Sequence, residues 1–202
     1  NLNGSMYLNA PESLTHLRDI DPRKIGKAAV SRKNLRDILR RREDKGAFSW
    51  TLCTMPAEEL AKQAKLSLGQ YTNQVVRACY LDKADPVKAW TDVYKETSAV
   101  KKWMNSMDVK YYHVESRNTD LIVTPGDKRR WIGLSGHNIP SFELFVSPDW
   151  RETHGVYFAD QPSFRNGNYV KGVKLEFNRG KVIGVSAEKS GDFVKKQLAM
   201  DK

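Results

Sequence analysis

The sequence predicts an α/β protein in an α+β arrangement, with a helical first part followed by a strand-rich lobe. Three observations carry that expectation. Through most of residues 27–104, apolar side chains recur at spacings of three and four, the period of a helix face. After Asp108 the period drops to two: Tyr111, His113 and Glu115 alternate with Tyr112, Val114 and Ser116. From there on, turn chemistry punctuates the chain at Asn118, Pro125-Gly126-Asp127 and Ser135-Gly136.

The opening Asn1-Leu2-Asn3-Gly4-Ser5-Met6 has neither a basic flank nor an apolar run, so it does not read as a secretory signal. It reads as residues placed ahead of a start at Met6, with no weight for the fold. Residues 6–24, with Pro11 and Pro22 and no sustained period, read as an arm or as the end of something that starts upstream. From Lys27 to Arg42, Val30, Leu35, Ile38 and Leu39 mark one face of a densely basic helix, which Gly46 stops. Phe48, Trp50 and Leu52 alternate with Ser49 and Thr51 as a strand buried on one side. Pro56 starts a helix with Glu58 and Glu59 in its first turn, where carboxylates suit the dipole.

Ser67 is placed to cap a helix presenting Tyr71, Val75, Ala78 and Cys79. Asp85-Pro86 starts another, whose ladder of Trp90, Val93, Tyr94, Thr97, Val100, Trp103 and Met104 reads as core packing. Strands are expected at 111–116, 120–124, 130–134, 143–146, 154–159, 169–177 and 181–187, with Asn178-Arg179-Gly180 as a hairpin turn between the last two. A final helix is expected from Asp192 to Ala199. The chain thus divides into an arm at 1–24, a mainly helical part at 25–107 and a strand-rich lobe at 108–202.

Composition narrows the function classes. The 202 residues suffice for a sizeable core. No run approaches the ~18–20 apolar residues of a membrane-crossing helix, so no membrane partner is expected. Cys53 and Cys79, with 25 residues between them, form neither a redox pair nor a zinc knuckle. They read as packing thiols of a reducing compartment, which gives a cytoplasmic expectation. The net charge of +10 raises nucleic acid as a partner. Residues 18–45, however, hold eleven Arg or Lys against five Asp or Glu, and one solvated helix face accounts for that. Nucleic acid is therefore kept only as the alternative.

The four histidines, His16, His113, His137 and His154, include no His-x-x-x-His or His-x-His pair, so no local zinc motif exists. His137 is the most informative, because Gly136-His137-Asn138-Ile139-Pro140 leads toward Glu143; a loop histidine is still read first as structural or solvated. No Gly-x-Ser-x-Gly elbow and no phosphate-cradling glycine loop occurs. No catalytic residue can be named from these patterns.

Several segments, in order, nevertheless resemble a known family. They are Trp50-x5-Pro56 with Ala61 and Ser67-x3-Tyr71, then Arg77-Ala78-Cys79 with Asp85-Pro86-x3-Trp90. Next come Thr119-Asp120-Leu121, Arg130-Trp131 and the run Asn138-Ile139-Pro140-Ser141-Phe142-Glu143-Leu144-Phe145-Val146-Ser147-Pro148. Gly155, Pro162 and Phe177-x2-Gly180-Lys181-Val182 with Ala187 complete the series. The chain is similar in these stretches to the thermophilic-type metalloaminopeptidases, the aminopeptidase T and aminopeptidase S group.

That resemblance implies removal of N-terminal residues from peptides with two divalent metal ions, zinc, cobalt or magnesium. It makes Glu143 a metal ligand, the match to the first glutamate of the family's Asn-φ-Pro-Thr-x-Glu-φ-Phe-Thr-x-Pro stretch, where φ is apolar. Ser141 and Val146 stand where the family has threonines, and Phe142 where a glutamate is often seen. The other ligands would fall beyond Lys202. The resemblance therefore implies a central fragment of a larger two-domain metallopeptidase. Residues 25–107 would complete an upstream α/β domain, and 108–202 would lead toward the remaining metal ligands. The isolated chain is expected to be inactive and to hold no metal stably, and the full-length protein to form a homodimer. A non-catalytic scaffold derived from the same fold is a further alternative.

Overall fold

The structure, a computed structural model, describes residues 2–199. It confirms the α+β arrangement: most helices come first, strand-rich sheets follow. The chain forms two compact units, each discontinuous in sequence. One takes Asn1–Leu14, Asp19–Val100 and Gly133–Leu144; the other takes Thr15–Arg18, Lys101–Ile132 and Phe145–Lys202. No helix among the described residues is long and apolar enough to cross a membrane.

In the first unit the opening residues belong to the fold, which corrects the expectation that they carry no weight. Gly4–Asn9 form strand β1, parallel to β2 (Ser49–Thr54), with Tyr7 opposite Leu52 and Leu8 opposite Cys53. The cause is a backbone ladder rather than side-chain burial, since β1 is exposed almost throughout. Ser49 N–H donates to Asn3 O at 3.1 Å and Met55 N–H to Asn9 O at 2.9 Å. A short strand β6 (Asn138–Ile139) pairs with the other edge of β2, giving a parallel sheet of order β1-β2-β6.

The single helix expected over 27–42 is two. Helix α1 spans Pro22–Ser31, with the Asp21 carboxylate accepting from Arg23 N–H at 2.9 Å as its cap. Helix α2 spans Lys33–Asp44. Arg32 separates them, its backbone near ψ −2 and its N–H turned onto Val30 O. Apolar spacing alone does not register such a one-residue break. The expected face is largely wet: Val30 is 69% and Leu35 59% exposed.

Helix α3 (Glu58–Gln63) buries Ala61 completely. Helix α4 (Leu68–Ala78) starts in the expected cap. Ser67 Oγ accepts from Gln70 N–H at 3.2 Å, and the Gln70 side chain accepts from Ser67 N–H at 2.9 Å. Helix α5 (Pro86–Ser106) follows. Phe48, Ala61 and Cys79 are the buried apolar side chains of this unit. Burial raises the Cys79 thiol pKa, the behaviour of a packing thiol rather than a nucleophile.

The second unit is built on an antiparallel sheet of order β12-β11-β8-β4-β3. Its strands are β3 (Tyr112–Glu115), β4 (Asp120–Pro125), β8 (Pro148–Ala159), β11 (Val173–Asn178) and β12 (Lys181–Ser186). The central β8 is twice the length expected, and it bulges against β4 between Ile122 and Thr124. Gly155 in β8 has φ +104, and a side chain there would run into the Asp120 carbonyl of β4; only glycine lets the two backbones meet. The strand expected at 169–177 divides into β10 (Asn168–Val170) and β11, because Lys171 leaves the ladder to bridge Lys189. β10 pairs with β9 (Ser163–Arg165), and helix α6 runs Gly191–Leu198. The strands expected at 130–134 and 143–146 shrink to β5 (Ile132–Gly133) and β7 (Leu144–Phe145), which pair with each other.

Candidate functional site

Glu143 lies in the first unit, at the end of the segment that β5 and β7 bracket. The segment closes on itself at Gly133, whose φ of +134 suits glycine and whose missing side chain leaves room for the Glu143 carbonyl. It is then laid along β2. Thr51 Oγ1 donates to Gly136 O at 2.8 Å, Leu52 N–H donates to His137 O at 2.6 Å, and β6 adds its parallel pairing. The His137 ring stacks on Trp50, with centroids 4.3 Å apart and planes 6° from parallel, and its Nε2 lies 3.2 Å from Glu43 Oε1. A cis Ile139-Pro140 bond follows.

At the far end Phe142 stacks on Trp90, with centroids 5.4 Å apart, and meets Tyr80 edge-on at 6.2 Å. Trp90 is itself fixed, its Nε1–H donating to Cys79 O at 3.0 Å. Ser141 Oγ accepts from Glu143 N–H at 3.4 Å. The Glu143 residue is exposed. Beside this segment lies an apolar hollow of about 620 Å³, lined among others by Val87, Trp90, Tyr94, Leu134 and Ile139.

The donor set does not fit a two-metal centre. Among the described residues no group of three or more His, Cys, Asp or Glu is arranged to hold a metal ion. The histidines have other engagements. His113 Nε2 lies 2.8 Å from Asp120 Oδ1, His137 faces Glu43, and His154 Nδ1 accepts from Arg179 N–H at 3.3 Å. One carboxylate cannot fix two ions and keep open positions for water and a peptide carbonyl, so no catalytic step is derived through a metal here. The reading of His137 as structural or solvated sharpens to a structural one, half-buried between an indole and a carboxylate. The Trp50–His137 stack and the Phe142 cluster are not readable from spacing, since their members lie far apart in the chain. The aromatic content of the two segments was the only signal.

The chain is thus an α+β protein whose 133–143 segment leaves one carboxylate exposed. The sequence pattern of the family described as thermophilic metalloprotease (M29) matches residues 1–202, and the chain belongs to that family. Aminopeptidase PepS of Streptococcus thermophilus is 26% identical over 169 residues, which cover 76% of this chain and 41% of that protein. Aminopeptidase T of Thermus aquaticus is 29% identical, over 63% of this chain and 33% of that protein. The solved structure of wild-type AmpT from Thermus thermophilus superposes with a TM-score of 0.79 at 21% identity, covering 98% of this chain and 52% of that one. That likeness shows the fold. The chain spans from a third to about half the length of these proteins.

Proposed function

We propose that this chain serves a metal-dependent aminopeptidase that removes N-terminal residues from peptides, and that Glu143 supplies one ligand to its pair of divalent ions. Family membership supports the reading, as do curated relatives named as aminopeptidases. The observation that carries it is local: the segment matching the family's ligand stretch is pinned at both ends and leaves Glu143 exposed. Residues 1–202 alone, on this reading, neither hold the metal pair nor hydrolyse peptides; Glu143 would need further donors, and none are grouped with it among the described residues. On this reading residues 25–107 complete a larger α/β domain and 108–202 lead toward the remaining ligands. The full protein acts in the cytoplasm as a homodimer.

The test is hydrolysis of aminoacyl chromogenic substrates. The whole gene product is active with zinc, cobalt or magnesium and silent after chelation, and residues 1–202 give no turnover. Glu143→Gln lowers kcat/KM by at least about 100-fold, as expected when an ion loses an anionic ligand. Activity indifferent to chelators, or untouched in Glu143→Gln, would sink the assignment.

A further inference from the structure

The turn between β4 and β5 carries charges that the proposed chemistry does not use. It walls one side of a hollow of about 330 Å³ in the second unit, whose other walls are the last turn of α5 and the start of β3. That volume sits at the low end of the ~300–1,000 Å³ typical of small-molecule sites. Asp108, Asp127, Arg129 and Arg130 all line it. Opposite charges in so small a space tend to close on each other, as Arg151 does on Asp149, with Nε–H donating to Oδ1 at 2.9 Å. These four stay apart: no ion pair or side-chain hydrogen bond among the described residues occupies any of them.

The frame around them is fixed. Asn105 clamps Trp131 with both ends of its amide: Nδ2–H donates to Trp131 O at 3.0 Å, and Oδ1 accepts from Trp131 N–H at 2.8 Å. Trp131 Nε1–H donates to the Tyr112 hydroxyl at 2.9 Å, which leaves that hydroxyl's own proton to donate. Arg129 N–H donates to Gly126 O at 3.0 Å, and its side chain lies across Gly126, where a β-carbon would meet Nε at 2.7 Å. Met104, Val109 and Val146 add half-buried apolar wall.

We infer that this hollow binds a small zwitterion, a free apolar α-amino acid. Arg129 and Arg130 take its carboxylate, Asp108 and Asp127 its ammonium, and the apolar wall its side chain. An ion of one sign is attracted by half of the lining charges and repelled by the other half, whereas a ligand carrying both signs satisfies both sets at once. Guanidinium groups suit the planar carboxylate. The inference goes beyond peptide hydrolysis and needs neither a metal nor Glu143.

The test is an NMR titration of the 202-residue chain with L-leucine, following the Trp131 Nε1–H and Asn105 side-chain amide resonances. Both shift saturably, with a Kd on the order of millimolar because the charges are exposed. N-acetyl-leucine, which lacks the ammonium, and leucinamide, which lacks the carboxylate, bind about 10-fold more weakly. Arg130→Gln and Asp108→Asn each weaken leucine binding about 3- to 5-fold. Both positions are exposed, so the fold tolerates the changes, and an unmoved Trp131 Nε1–H resonance before ligand is added verifies it. No saturable shift up to about 50 mM leucine overturns the inference. So does either single-charge relative binding as tightly as leucine, which makes the hollow a plain ion site. Leucine binding equally to the parent and both variants overturns it as well, because the ligand then sits elsewhere.

Discussion

At the scale of single residues, two ion pairs set pH responses with opposite signs. The His113 pKa is raised, chiefly by the hydrogen bond to Asp120, with Glu115 adding a weaker attraction. A raised folded-state value means the pair stabilises fully below the unfolded histidine pKa near ~6.5 and loses its contribution as pH climbs through the higher folded value. An NMR titration of His113 should show the raised midpoint, and Asp120→Asn should bring it back down; an unchanged midpoint refutes the pairing. The Asp149 carboxyl is held down to about 2, mainly by hydrogen bonds from Arg151. Its contribution is present above the unfolded carboxyl pKa and disappears as pH falls through about 2. Asp149→Asn should therefore flatten the acid limb of a stability–pH curve. The proposal for Glu143 rests on family likeness alone. A lone Glu at a strand start has no spacing partner that could have marked it, and the residues that seat its loop lie far away in the chain.

Elements were legible where their signals are local. The Ser67 cap was readable because a capping serine acts on an amide three residues away. Ser67→Ala should cost about 1 kcal/mol, measured by denaturant unfolding, and a loss within about 0.3 kcal/mol of zero would deny the cap its role. The helices that follow Pro56 and Asp85 were equally readable from first-turn chemistry. What failed was local order set by distant partners. β6 exists because β2 offers a free edge to Asn138 and Ile139, and the division of the long basic helix at Arg32 rests on a backbone turn that no side-chain pattern records. β1 was missed for the same reason. Its residues look featureless alone and become a strand only beside Ser49–Thr54.

For the whole molecule, the switch from period three-to-four to period two gave the α+β order correctly, because each period reports which face its element buries. The division into two units was not readable, since each unit gathers three separated stretches, and 133–144 returns to the company of residues far upstream. Low burial accompanies that architecture. Met6, Tyr7 and Leu8 are 71%, 60% and 55% exposed, and α2 buries nothing.

The open side of β1 has a practical consequence for the chain in a tube. Asn3 and Asn9 turn their carbonyls toward β2, so by strand alternation the amides and carbonyls of Gly4, Met6 and Leu8 point the other way. That row carries no charge, no proline and no bulge, the usual guards against pairing between copies. Mutual repulsion from a net charge of +10 then does the guarding, and it acts through the solvent. Salt shortens its reach to ~10 Å at 0.1 M and ~3 Å at 1 M. Light scattering by a concentrated solution should therefore grow as sodium chloride is added, opposite to ordinary salting-in, and Met6→Lys should suppress the growth. A flat scattering profile would mean the edge is guarded some other way.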